Sequence, residues 1–246
     1  MKWQETYKRR LVSAEDAVKE IRSGDHVAIH HACAEPRTLI EALVKRRDIE
    51  NVTISHMAAI GPAEYCRPEY EGIFRHNAFF AGAGARKAID EGRADFTPVF
   101  FYELPKIYRE YLPPDVALIQ VSPPDKRGYC TLGLSVDYSM EIVRQARRLV
   151  IAQVNRLMPR TFGDTFVHVS DINLFVESDR PLLEYPLPEI GKVEESIGNH
   201  IAGLIEDGSC LQLGIGAIPD AVLMFLKDKK DLGIHTEMFS DRVVYL

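Results

Sequence analysis

The residues of this chain best suited to chemistry lie near its end. There Gln212-Leu213-Gly214-Ile215-Gly216-Ala217-Ile218-Pro219 is followed by His235-Thr236-Glu237-Met238. Ser209 to Leu213 reads as a short buried strand and Gly214 with Gly216 as a turn. Pro219 is expected at the first position of the next helix, where a fixed φ and a missing N–H cost nothing. A strand, a glycine turn and a helix start expose N–H groups and the positive end of a helix dipole, which suits a phosphate or a reaction oxyanion. Glu237 lies in the apolar run Leu232 to Phe239, whose alternation places His235, Glu237 and Phe239 on one face. A carboxylate there is costly to bury without a partner. Carboxylate and N–H donors together suggest acyl chemistry, with Glu237 as nucleophile; a salt-bridged Glu at a strand end explains the same residue equally well. A dinucleotide site is the rival reading, with Glu237 about twenty residues on to hold a ribose. Pro219 in place of the third glycine counts against it.

Further segments extend the pattern. Ser23-Gly24-Asp25 with His31-Ala32-Cys33-Ala34-Glu35-Pro36, Gln120-Val121-Ser122-Pro123-Pro124-Asp125 with Gly128-Tyr129, and Asn155 with Met158-Pro159-Arg160-Thr161 occur in that order. With the run from Gly198 to Asp241, they resemble the acetyl-CoA hydrolase/transferase family, most closely its 4-hydroxybutyrate and butyrate CoA-transferases. The resemblance covers nearly the whole chain. It implies that Glu237 attacks an acyl-CoA thioester and becomes a glutamyl-CoA thioester. It implies that Gly214, Ile215, Gly216, Ala217 and Ile218 contact coenzyme A, which is substrate and covalent intermediate and not a permanent cofactor. It places His31, or Glu35, at the acyl pocket beside a substrate carboxylate, and Asn155 and Arg160 in a functional loop. Gln120, at a strand end, is a further candidate donor to an oxyanion or carboxylate, and Arg160 has the fork to bind a carboxylate bidentately. A core histidine, a strand-end Gln, a turn Asn and a surface Arg are the plainer readings of the same four residues. The implied substrates are short acyl-CoAs and carboxylates such as acetate, with hydrolysis or a CoA-binding half without activity as alternatives. Family members are roughly twice as long, with a second α/β domain. Residues 1–246 therefore read as an N-terminal CoA-transferase domain, paired as a homodimer or with a separate C-terminal half.

Composition sets limits. At 246 residues, 46% hydrophobic and 27% charged, the chain has the make-up of a globular protein with a sizeable core, in one large domain or two small ones. A net charge of −6 argues against nucleic acid. No apolar run is long enough to span a membrane, and the polar start lacks a signal-peptide core, so cytoplasm is the expected location. Cys33, Cys66, Cys130 and Cys210 are scattered, without metal-ligand spacing. Cations for a CoA site would come from Arg144, Arg147, Arg148, Arg156, Arg160, Lys227, Lys229 or Lys230.

The elements that position these residues alternate. Ser13 caps a short helix to Arg22, Val27 to His30 is a strand, and Pro36 opens a helix. Val52 to Ser55, Phe96 to Phe101, Val116 to Val121 and Leu149 to Val154 read as strands, with helices over 85–91 and from an Asp137 cap to Ala146. Residues 158–188 read as a loop-rich stretch, and Val193, Ile197, Ile201 and Leu204 mark an amphipathic helix. The expected fold is α/β: a mostly parallel sheet with helices on both faces, binding ligands at the carboxyl ends of its strands.

Overall fold

A computed structural model describes residues 2–246, which pack as two compact units, one ending at Glu184 and one formed by Tyr185–Leu246. The first opens with α1 (Trp3–Arg10) and α2 (Ala14–Lys19), the latter capped as expected by Ser13, whose Oγ accepts from Asp16 N at 3.0 Å. Then come β1 (His26–Ile29), α3 (Arg37–Leu43), β2 (Val52–His56), β3 (Phe74–Ala78), α4 (Ala83–Asp90), β4 (Asp95–Phe96), α5 (Leu104–Lys106) and β5 (Val116–Val121). The unit continues with β6 (Tyr129–Thr131), α6 (Ser139–Gln145), β7 (Leu149–Val154), β8 (Phe166–His168) and β9 (Leu174–Glu177).

Among the described residues, seven strands form one sheet in the order β4-β3-β2-β1-β5-β7-β9, every pairing parallel. Alternate residues feed its two faces: Val116 and Leu118 join a core with α2, α3 and α4, whereas Ala117, Ile119 and Val121 join one with Tyr108, Tyr138 and Ile142. Both faces are covered, which is why these strands are near-continuous apolar runs. The chain winds outward from β1 through β2, β3 and β4, then returns to β1's other edge with β5. Between β1 and β5 the winding reverses, and at such a switch point the carboxyl ends of two strands open a crevice.

Two expectations for this unit are corrected, and the structure adds strands that were not expected. Phe96 to Phe101 is not a strand: β4 stops at Phe96, and Pro98, with no N–H for a ladder, leads into a 3-10 turn over Phe101–Glu103. The loop-rich stretch 158–188 also holds β8 and β9, of which β9 pairs with β7. Strand β3 has no counterpart in the sequence reading. Asp137 does not cap α6 in the usual way, since Tyr138 is the residue at the cap and the Asp137 carboxylate is taken up by Tyr138 N, at 2.6 Å, and by His31.

The second unit holds α7 (Lys192–Ala202), β10 (Cys210–Leu211), α8 (Ala217–Met224) and β11 (Gly233–Ile234). Strands β10 and β11 pair in parallel, over a core of Ala202, Leu211, Leu213, Val222, Leu223 and Leu226. The expected strand Leu232 to Phe239 shrinks to Gly233–Ile234, because its partner runs out at the glycine turn. Pro219 is the third helical residue, not the first. The opening N–H groups of a helix have no intrahelical acceptor, so proline is tolerated there too.

Candidate active site

In the first unit the carboxyl ends of β1, β5 and β7 gather three of the four accessory candidates. His31 follows β1, is buried, and donates from Nε2 to Asp137 Oδ2 at 2.8 Å. Its ring stacks on Tyr138 at 4.8 Å, and Nδ1 is buried without a partner. Burial alone would raise the Asp137 carboxyl, but the hydrogen bond and charge of His31 outweigh it and hold the carboxyl low. Gln120 is buried in β5. Its Nε2 donates to Glu35 O at 3.0 Å, and its Oε1 accepts from Gln153 Nε2 at 2.9 Å and Asn155 Nδ2 at 3.0 Å. Asn155 also donates to Arg180 O at 2.7 Å. Gln120 and Asn155 thus form one amide network in which each reads the other's orientation.

Glu35 lies beside them. One carboxylate oxygen accepts from Ile60 N at 2.7 Å and Gly61 N at 3.1 Å; burial pushes this carboxyl up, and the two N–H groups offset that only in part. Neighbouring His30 accepts from Gln120 N at Nδ1 and donates from Nε2 to Ser135 O, and burial holds its pKa down to about 4. Arg160 stands apart: it is engaged by Asp125 Oδ2 at 2.8 Å and lies 4.8 Å over the Phe166 ring. Among the other cations named for CoA, Arg144 faces Asp164, Arg148 faces Asp25 and Arg156 faces Asp179.

In the second unit, Gly214 to Ile218 leave β10's end as a turn into α8. Gly216 has φ of 122°, a region that favours glycine, and caps the helix. Gly214 needs no such freedom; a Cβ there would meet only Pro219 Cγ at 3.7 Å, so glycine leaves the approach open. Ala217 and Ile218 open α8, where their N–H groups point out of the helix. Beside them, His235 N donates to Leu211 O at 3.0 Å, and Thr236 Oγ1 both accepts from Leu213 N at 3.0 Å and donates to Leu213 O at 2.8 Å. The turn and Glu237 therefore leave the strand pair at the same end. Glu237 is exposed, unlike the buried strand carboxylate expected from the alternation. Asp137 and Thr236, which complete these arrangements, had no functional reading from the sequence, the one being read as a helix cap and the other only as a neighbour of Glu237.

The model of the acetyl-CoA hydrolase/transferase N-terminal domain matches residues 1–184, ending where the first unit ends. The chain belongs to the acetyl-CoA hydrolase/transferase family. A 4-hydroxybutyrate coenzyme A transferase from Clostridium kluyveri is 55% identical over 248 residues, which are 100% of this chain and 58% of that relative. RipA from Yersinia pestis superposes with a TM-score of 0.94 at 35% identity, over 99% of this chain and 59% of RipA. A 4-hydroxybutyrate CoA-transferase from Porphyromonas gingivalis gives 0.85 at 39%, over 99% and 58%. This family member thus spans little more than half the length of those relatives. Among the described residues no helix is long and apolar enough to cross a membrane.

Proposed function

We infer that this chain carries the nucleophile and part of the acyl-CoA site of a CoA-transferase. The reaction exchanges CoA between a short acyl-CoA, such as 4-hydroxybutyryl-, butyryl- or acetyl-CoA, and a carboxylate such as acetate. The observation that carries this reading is the placement of Glu237: exposed, at the end of the β10–β11 pair that also launches the glycine turn. The Glu237 carboxylate attacks the thioester carbonyl; the C–S bond breaks and CoA thiolate leaves a mixed anhydride. The thiolate then attacks the glutamyl carbonyl, releasing the first carboxylate and forming an enzyme–CoA thioester. An acceptor carboxylate reverses both steps and departs as the new acyl-CoA, freeing Glu237. Each tetrahedral intermediate bears an oxyanion, for which the N–H groups of Gly214 to Ile218 are the donors in this reading. No proton is consumed or released, so the cycle needs no general base. For the first unit's candidates, His31, Gln120, Asn155 and Arg160, carboxylate recognition is the role that this reading keeps.

The test uses the intact protein that bears this chain. After incubation with acetyl-CoA and proteolysis, mass spectrometry should find a CoA adduct on the peptide containing Glu237. Glu237→Gln should lack the adduct and lose at least about 10³-fold in kcat, as removal of a covalent nucleophile does. Turnover without an adduct on that peptide, or with unchanged kcat in the variant, would overturn the assignment.

A further inference from the structure

A nucleophile on an exposed, unpaired stretch needs something to hold it, and Glu237 lies on such a stretch. Strand β11 ends at Ile234, and Glu237, Met238 and Phe239 are all exposed. On either side the chain is tied down by side chains. Before Glu237, Thr236 Oγ1 bridges both polar groups of Leu213, the residue that leads into the glycine turn. After it, Ser240 is buried and its Oγ donates to Asp220 Oδ1 at 2.5 Å. Asp220 sits in the first turn of α8 and is only 1% exposed. Its other oxygen faces the Arg242 guanidinium, with Nε at 3.5 Å. Burying a carboxylate is unfavourable without such partners, and core packing alone gives no reason for an acid there.

We propose that Asp220, through Ser240, and Thr236, through Leu213, are positioning residues that lock Glu237 in register with the glycine turn. The geometry makes α8 the common support: its N-terminus presents the turn, and its first-turn carboxylate holds the chain just beyond the nucleophile. A displacement of α8 therefore carries donors and nucleophile together. This inference rests on the reading of Glu237 as nucleophile.

The test is Ser240→Ala in the intact protein, with Ser240→Thr as the conservative control and Asp220→Asn as a second variant. Two quantities are read after rapid mixing with acetyl-CoA: the fraction of chains that acquire the CoA adduct on the Glu237 peptide, and the rate at which they do. Loosened positioning should leave the fraction and the KM for acetyl-CoA near wild type and slow adduct formation about 10- to 100-fold, the scale expected when a reacting group is misplaced by about 1 Å. Ser240→Thr should recover most of the rate. Should Ser240→Ala and Asp220→Asn lower only the reactive fraction, or leave the rate unchanged, the tether is structural and the proposal fails. An adduct missing from the Glu237 peptide of the wild-type protein would instead remove the reading beneath it, a separable outcome.

Discussion

His30, His56 and His76 lie buried on or just after three neighbouring strands, and burial holds all three pKa values down, His30 and His76 to about 4. His56 and His76 sit with ring centroids 4.8 Å apart, so a first charge would oppose a second. Above pH 6.5, the ordinary histidine value, neither folded nor unfolded chain is protonated there and stability is intact. Below it the unfolded chain binds protons that the folded one refuses. Each of His30 and His76 then removes about 1.4 kcal/mol of stability per pH unit down to about 4. Glu35, whose carboxyl is raised, works the other way as the folded state protonates first, but it is one group against three. The urea midpoint should fall steeply from pH 6.5 to 4.5, and His76→Gln should shallow the slope by about one proton. A flat midpoint over that range would show that these rings charge freely in the fold. At this scale the glycine turn between β10 and α8 was legible because it lies in one short contiguous motif. Asp220 with Ser240 and His31 with Asp137 were not: those partners are 20 and 106 residues apart and meet only on folding.

Among elements, the packing of α7 on α8 depends on one glycine. A Cβ at Gly198 would stand 2.7 Å from the backbone carbon of Ala221, closer than atoms can approach. In an isolated helix Gly→Ala would add about 1 kcal/mol of stability. Here the clash forces the helices apart at a cost of up to about 3 kcal/mol, more than that gain. Gly198→Ala should lower the Tm of the second unit, read by a probe in that unit; a rise would mean that α7 has room to shift. Strands β1, β5 and β7 were readable because burial on both faces writes them as near-continuous apolar runs, and β2 because Val52 and Ile54 alternate with polar residues. Strand β3, Phe-Arg-His-Asn-Ala, escaped because its polar residues are satisfied by partners distant in sequence: buried His76 by the Ile54 carbonyl at 3.0 Å and half-buried Asn77 by Thr97 at 2.7 Å. The run Phe96 to Phe101 misled for the opposite reason, being apolar yet largely exposed, with Phe100 at 70%.

For the whole molecule, the stretch from Arg180 to Gly191 carries no regular element and is mostly exposed. Limited proteolysis should cut there first and leave a resistant fragment ending near Glu184, as exposed connections between compact units usually do. First cuts mapped by mass spectrometry to the interior of the seven-stranded sheet would contradict the division. That two-unit organisation was not legible, because the alternation of strand and helix continues across the boundary; the α/β class and parallel sheet were. The central place of β1 in that sheet bears on how the protein is made. A ribosome releases His26–Ile29 early, and β2 soon covers one edge, but the other edge waits for Val116–Val121, roughly ninety residues later. At 5–20 residues per second that interval is roughly 5 to 20 s. Throughout it an apolar strand bound for the middle of the sheet has an open side. Synthesis of this chain thus has a defined interval in which a chaperone would matter most.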